Sequence, residues 1–369
     1  MKANQFICIS LFCLFSGANT FAQKLKPGFD KNEYTETLKI NNKVHIDVAK
    51  WKDFREMEDP QNSRFMYRSP VTGFDNLWDL WKRDDGVGII AVRGSVQTGA
   101  SFLANLYAAM VPAHGTLELN KTTSFNYHLS DNPSAAVHVG WLVALAYIST
   151  DVVSKIDSCY KTGMKDFILT GHSQGGGIVF MLNSYLENLK AENKLPSDIR
   201  FKTYCSAGPK PGNLHFAYDY ERMTYGGWAF NVVNSADWVP DVPFTVQTVD
   251  DFTAVNPFHG AKAQIKKMKF PKNVALKHVY NQMSKPSNKA RKNYQKYLGK
   301  MISKTVKKQL PDFTIPAYYN SNYYVRTGNT IVLYADEEYF KLFSNDPSNP
   351  NIWQHHLPKP YLFLTEKLK

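Results

Sequence analysis

The pentapeptide Gly171-His172-Ser173-Gln174-Gly175 constrains the fold of this chain more than any other feature. It follows a short apolar run at residues 166–170 and precedes a longer segment, residues 178–189, that is rich in apolar residues. The first is typical of a buried strand and the second of a helix. A serine on such a tight turn needs residues with little or no side chain two positions to either side. The pattern therefore predicts that Ser173 projects from a tight turn between a strand and a helix.

Strand-like and helical segments alternate around this turn. An apolar run at 87–92 predicts another buried strand, residues 201–205 and 230–233 are predicted to form two more strands, and residues 101–110 and 139–156 are predicted to form helices. This alternation predicts an α/β fold with a mostly parallel central sheet and helices on both faces. A hydrophobic content of 43% is ample for such a core, which excludes a wholly disordered chain.

The first 22 residues have the pattern of a secretory signal peptide. Lys2 precedes the apolar run 6–15, and Thr20-Phe21-Ala22 has small residues at the two positions that a signal peptidase reads. Cleavage is expected after Ala22, which leaves residues 23–369 as one domain of a secreted or, in a cell with two membranes, periplasmic protein.

Cysteine and metal-ligand patterns add little. The two cysteines outside the signal, Cys159 and Cys205, could form one disulfide or remain buried thiols. The sequence has no HExxH, no paired Cys or His ligand set and no phosphate-binding glycine loop. No metal and no organic cofactor is expected.

Four further segments accompany the pentapeptide: Ala-Val-Arg-Gly-Ser at 91–95, Val-His-Val-Gly at 137–140, Ser-Ala-Gly-Pro-Lys-Pro-Gly-Asn at 206–213, and Asn-Ser-Ala-Asp-Trp-Val-Pro-Asp-Val-Pro at 234–243. Together, and in this order, they resemble the class 3 (fungal-type) lipases of the α/β-hydrolase superfamily. The resemblance covers about half of the mature chain. It implies a serine hydrolase that cleaves carboxylic esters of lipids through an acyl-enzyme, with a lipid or ester as substrate.

The resemblance also implies the catalytic residues. A triad in the chain order Ser, Asp, His would use Ser173 as nucleophile and Asp237 as the acid, with Asp241 as the alternative acid. The backbone N–H groups of Ser95 and Gln174 would form the oxyanion hole, and the Ser95 hydroxyl could be a third donor.

The catalytic histidine is left open between two neighbours. In the family, a strand with a Tyr/Gly pattern precedes this histidine, and residues 323–333 are predicted to be such a strand pair. His356 is favoured as the base, because Leu357 follows it directly and Tyr361 lies five residues on. His355 is the alternative base. Two more histidines follow the predicted acid and are weaker candidates: His259 and His278.

The chain departs from the family between Asp237 and His356, which lie 119 residues apart. The surplus is predicted to be a basic helical insertion at residues 257–315. Residues 261–308 hold 15 Lys and Arg and no acidic residue; subtracting these from the formal net charge of +12 leaves −3 for the rest. Prolines are expected to end the helices, and apolar residues at helical spacing form two stripes. The prolines are Pro271, Pro286 and Pro311; the stripes are Leu276, Val279, Tyr280 and Met283, then Tyr294, Tyr297, Leu298, Met301, Ile302 and Val306.

Three interpretations of the insertion stay open. It could be a structural cap whose apolar stripes pack on the fold, a peripheral contact with an anionic membrane surface through 261–308, or a site for another polyanion. Nucleic acid is not expected, because the aromatic residues follow helical spacing rather than that of a base-stacking surface. A lid within 106–126 is a further possibility. The alternatives to a lipid hydrolase are an esterase for short soluble esters and a non-catalytic lipid- or polyanion-binding protein on the same fold.

Overall fold

The computed structural model describes residues 24–45 and 57–368, so the predicted signal peptide lies outside the described residues. The described strands are β1 (Ser63–Arg68), β2 (Trp78–Arg83), β3 (Gly88–Val92), β4 (Met110–Pro112), β5 (His114–Glu118), β6 (Ser124–His128), β7 (Ala136–His138), β8 (Asp166–His172), β9 (Arg200–Ser206), β10 (Gly212–Asn213), β11 (Ala229–Asn234), β12 (Tyr324–Val325) and β13 (Asn329–Leu333).

The described α-helices are α1 (Lys31–His45), α2 (Gly99–Leu106), α3 (Val139–Lys161), α4 (Gln174–Ala191), α5 (Leu214–Met223), α6 (Ala261–Lys267), α7 (Lys272–Tyr294), α8 (Ile302–Gln309), α9 (Glu337–Leu342) and α10 (Pro358–Glu366). A π-helical segment, Gln295–Met301, joins α7 to α8. The predicted helix at 101–110 ends at Leu106, because Met110 already belongs to β4.

The central sheet has seven strands in the order β1-β2-β3-β8-β9-β11-β13. From β3 to β13 all neighbours are parallel, whereas β1 and β2 are added antiparallel at one edge. The predicted α/β class with a mostly parallel sheet is confirmed. The carboxyl ends of the parallel strands meet at one edge, which is where such sheets carry their sites.

Helices cover both faces of this sheet. Successive strand residues point to opposite faces, so Ile89 of β3 packs in the cluster with α1 and α10, while Ile90 packs in the cluster with α3 and α4. Ile168 and Leu169 of β8 divide in the same way. Burial on both faces explains why these strands are continuous apolar runs in the sequence.

Residues 323–333 contain two strands, as predicted, but the prediction that they pair with each other is wrong. β12 joins β10 in a small antiparallel sheet of order β12-β10-β7-β4, whereas β13 lies parallel to β11 in the central sheet. Gly328 lies between the two strands with φ 81°, a left-handed conformation that glycine adopts without strain, and the chain turns there from one sheet to the other.

The prolines of the insertion do not all end helices. Pro271 directly precedes α7, but Pro286 lies inside it, so the prediction of a helix end there was wrong. Near the interruption, Ser287 Oγ lies 3.1 Å from the carbonyl oxygen of Ser284 and 3.3 Å from that of Met283, and its single proton can be donated to one of them at a time.

Helix α3 is long and apolar enough to cross a bilayer by length and composition, but 67% of its most apolar window is buried against the rest of the protein.

The two cysteines outside the predicted signal do not form a disulfide. Cys159, near the end of α3, and Cys205 in β9 are both buried free thiols.

Candidate active site

Ser173 lies on a strained turn between β8 and α4. Its φ of 61° and ψ of −131° are uncommon for a residue with a side chain. A Cβ atom on Gly171 would lie 2.4 Å from the carbonyl carbon of Gly175, and one on Gly175 would lie 2.1 Å from the carbonyl oxygen of Val92. The two glycines of the pentapeptide are therefore required by close backbone contacts, as the sequence predicts.

We expect Gly175→Ala to lower the free energy of unfolding by about 3 kcal/mol or more, because the new methyl group would collide with backbone that cannot move independently. Gly99→Ala is the matched control: Gly99 is the first residue of α2, and a Cβ there would meet nothing within 4 Å. Urea titrations of both variants measure the difference. Equal stability of the two would contradict the packing described for the turn.

Asp237 and His356 lie in direct contact. His356 Nδ1 and Asp237 Oδ2 are 2.8 Å apart, and both side chains are buried. The same carboxylate oxygen accepts a hydrogen bond from Tyr361 Oη at 2.7 Å, and Oδ1 accepts one from the backbone N–H of Val239 at 3.0 Å. Three hydrogen bonds to one buried carboxylate fix its position and thereby orient the imidazole ring of His356.

The alternative site residues lie elsewhere. His355 Nδ1 is 2.8 Å from Tyr339 Oη, and burial lowers the pKa of His355. Asp241 is exposed and forms an ion pair with Arg326 at 2.9 Å. His259 and His278, the other two candidates, are exposed on the insertion.

Ser173 and His356 line one cleft, with a volume of about 420 Å³. Most of its lining is apolar, including Val96, Phe102, Leu106, Val242, Phe244 and Leu298. Among the described residues no hydrogen bond joins Ser173 Oγ to His356. Such bonds are often long in free enzymes and tighten only when substrate is bound.

Ser95 and Gln174 are held by one asparagine of α2. Asn105 Nδ2 donates to Ser95 Oγ at 2.9 Å, while Asn105 Oδ1 accepts from Gln174 Nε2 at 2.8 Å and from Trp141 Nε1 at 2.9 Å. Because Ser95 Oγ accepts this bond, its own proton stays available for another acceptor. Gln174 is the first residue of α4, so its N–H has no partner within the helix. Both predicted oxyanion residues line the cleft.

His172, the residue before Ser173, contacts the backbone of His356. Its Nε2 lies 2.7 Å from the backbone carbonyl oxygen of His356, which can only accept, so Nε2 carries the proton. Nδ1 must then accept from Ser206 Oγ at 3.0 Å, and Tyr34 Oη donates to that serine at 2.8 Å. Burial, and then the nearby charge of His356, hold the pKa of His172 well below its usual value. A neutral His172 thus fixes the backbone of His356.

No sequence pattern indicated the contacts that two residues make at the site. Tyr361 helps to identify the histidine as an aromatic residue that follows it, but its hydroxyl also donates a hydrogen bond to Asp237. His45, the last residue of α1, lines the cleft with Nδ1 3.0 Å from the carbonyl oxygen of Asn41, and burial lowers its pKa to about 4. His45 precedes Ser173 by well over a hundred residues, and no motif connects the two.

The basic insertion forms part of the cleft wall. Tyr294 of α7 and Leu298 of the π-helical segment line the cleft. The carbonyl oxygen of Leu298 accepts hydrogen bonds from the backbone N–H groups of Ala108 and Ala109, at 3.1 and 3.3 Å. Residues 106–126 were considered as a lid. Within this range Leu106 is half exposed at the cleft, whereas Met110 is fully buried in β4.

Residues 24–45 and 57–368 contain no cluster of three or more His, Cys, Asp or Glu that could hold a metal ion.

The comparison with protein families agrees with this geometry. Residues 89–247, somewhat less than half of the chain, match the family Lipase (class 3). The predicted resemblance is confirmed. The matched segment includes Ser95, Ser173 and Asp237 but ends well before His355 and His356. A search of curated proteins gave no match.

Solved structures similar to this chain include several fungal lipases. The Rhizomucor miehei lipase propeptide complex is 22% identical with a TM-score of 0.40, and the match covers 58% of this chain and 62% of that one. Lipase II from Rhizopus niveus is 18% identical with a TM-score of 0.42, covering 58% and 74%. Lip2 lipase from Yarrowia lipolytica is 16% identical with a TM-score of 0.42, covering 60% and 78%. The chain thus spans a little under two thirds of the Rhizomucor miehei structure.

Proposed function

We propose that this protein is a lipase-like carboxylic ester hydrolase, secreted or periplasmic, that cleaves esters of lipids with a Ser173-Asp237-His356 triad. The observation that carries the proposal is the shared cleft of Ser173 and His356, with Asp237 hydrogen-bonded to the far side of the same imidazole. The match to the class 3 lipases supports the reaction class. The localisation rests on the N-terminal pattern alone.

In the proposed reaction His356 Nε2 takes the proton of Ser173 as Oγ attacks the ester carbonyl carbon. Asp237 holds the Nδ1–H tautomer and stabilises the imidazolium that forms. The carbonyl oxygen becomes an oxyanion, which the N–H groups of Ser95 and Gln174 and the Ser95 hydroxyl stabilise. His356 then protonates the leaving alkoxide, and water hydrolyses the acyl-enzyme by the reverse sequence.

The lining of the cleft favours an acyl chain over a polar substrate. Its volume of about 420 Å³ falls in the range of small-molecule sites, and its wall is mostly apolar. Phe102, Leu106, Trp238 and Phe244 line this cleft and are also exposed, with Phe244 81% accessible. Large exposed apolar side chains grouped at one opening mark a surface that meets an apolar partner.

Hydrolysis of p-nitrophenyl esters from acetyl to octanoyl, each below its micelle concentration, tests the proposal. We expect kcat/KM to rise with acyl length by up to about fourfold for each methylene group, because each one buried in the cleft contributes about 0.8 kcal/mol. The rise should stop once the cleft is filled.

The two alternative functions give different results in the same assay. An esterase for short soluble esters would show its highest kcat/KM on the acetyl ester and a flat or falling series. A non-catalytic lipid-binding protein would hydrolyse none of the esters above the rate in buffer.

A further inference from the structure

The first half of the basic insertion exposes the apolar stripe that a structural cap would bury. Leu276, Val279 and Met283 of α7 lie three and four residues apart, hence on one side of the helix, and are 42%, 57% and 75% accessible. The second half behaves differently, since Val306 of α8 is fully buried in the core. The interpretation of the insertion as a simple cap holds for α8 and not for the exposed side of α7.

The same segment carries an uncompensated positive charge. All fourteen lysines of residues 261–308 are exposed, and among the described residues none of them forms an ion pair with a carboxylate. Arg291 is the exception among the 15 basic residues: it is buried and paired with Asp250 at 2.7 Å. Exposed charges of one sign without partners create a positive field that reaches about 8–10 Å at physiological ionic strength.

A cationic groove lies beside α7. It has a volume of about 810 Å³ and is bounded by the segment 249–262 on one side and α7 on the other. Four lysines line it, Lys262, Lys285, Lys289 and Lys292, together with the ion pair of Arg291 and Asp250. A groove with this lining has the size and charge to take phosphate head groups.

We propose that the α6–α7 part of the insertion binds the surface of an anionic phospholipid bilayer. The lysines contact the head groups, and the exposed stripe of α7 enters the boundary between head groups and acyl chains. A polyanion such as nucleic acid or an acidic protein would account for the lysines but would leave the stripe in water. Charge and apolar exposure on the same helix are explained together by a lipid surface.

Continuity with the cleft gives this surface a consequence for catalysis. α7 begins in the exposed basic segment and ends at Tyr294, which lines the same cleft as Ser173. Docking of α7 on a bilayer therefore brings the cleft close to lipid esters. This consequence rests on the proposed function, whereas the binding itself does not.

Co-sedimentation with lipid vesicles tests the binding. The protein carries Ser173→Ala so that no substrate is consumed, and the vesicles are phosphatidylcholine alone or with phosphatidylglycerol. We expect binding only to the mixed vesicles, weakened by salt. Lys285→Gln/Lys289→Gln should weaken it about 30-fold, since each lysine near an anionic surface contributes about fivefold. The matched control Lys121→Gln/Lys341→Gln removes two exposed lysines outside the insertion and should bind like the parent.

The apolar stripe is tested in the same assay. Val279→Ser/Met283→Ser should weaken binding about tenfold, because two partly inserted side chains are lost. Val71→Ser/Leu342→Ser replaces apolar residues of similar exposure elsewhere and should change nothing.

The outcomes separate this inference from the proposed function. Equal binding by the insertion variants and their controls would overturn it. So would a single-stranded oligonucleotide that binds the Ser173→Ala protein more tightly than the mixed vesicles do, with Val279→Ser/Met283→Ser having no effect on either. Vesicle binding by a chain that hydrolyses no ester would leave the lipid surface standing and remove the proposed enzyme.

Discussion

Ser173→Ala is expected to reduce kcat/KM on p-nitrophenyl butyrate by about 10⁶-fold, to a residual rate set by binding and the oxyanion hole. The hydroxyl is the attacking group in the proposed reaction, and alanine leaves no atom that could form the acyl-enzyme. The substitution keeps the turn, because the alanine methyl group takes the place of Cβ. Its melting temperature should therefore stay near that of the parent, which separates lost chemistry from lost folding.

A matched serine lies on the helix that follows. Ser184 of α4 is buried, and its hydroxyl has no hydrogen-bond partner among the described residues. Ser184→Ala should leave kcat/KM unchanged, because an unpaired buried hydroxyl contributes nothing to the site. If Ser173→Ala kept a tenth or more of the parent activity, Ser173 could not be the nucleophile. A fluorophosphonate probe that labels the parent but not Ser173→Ala gives an independent measure of the same assignment.

The parts of the molecule that the sequence predicts are those that depend on neighbours along the chain. The runs that became β3 and β8 are apolar because both faces of the sheet are covered, so their pattern is readable without the tertiary structure. The elbow at Ser173 is equally local, since Gly171 and Gly175 contact each other and the adjacent strand. Structure that depends on adjacent residues can therefore be predicted from a short stretch of sequence.

The rest depends on contacts between distant segments. His45 reaches the cleft from α1, and Tyr361 reaches Asp237 from α10, across 124 residues. The stripe on α7 has the same spacing whether it packs on the fold or stays exposed, so periodicity alone could not distinguish a cap from an interaction surface. The strands β12 and β13 join two different sheets, because each pairs with a strand that is far away in the sequence.

His356→Ala should lower kcat/KM about as much as Ser173→Ala, by about 10⁶-fold, while His355→Ala should remain within about threefold of the parent. The two histidines are neighbours with different contacts: His356 Nδ1 faces Asp237, and His355 Nδ1 faces Tyr339. His355→Ala breaks one partly buried hydrogen bond and should cost about 1 kcal/mol of stability. Measuring kcat/KM and urea unfolding for both variants therefore separates a catalytic from a structural role.

The double variant Ser173→Ala/His356→Ala makes the assignment sharper. If His356 acts only by taking the proton of Ser173, its removal from a chain that already lacks this hydroxyl should cause no further loss of activity. The double variant should then match Ser173→Ala instead of losing a further factor of about 10⁶. A large additional loss would mean that His356 supports the residual rate by another route. A reversed order of the single variants, with His355→Ala inactive and His356→Ala active, would move the base to His355 and would require the contact between Asp237 and His356 to be rearranged in the working enzyme.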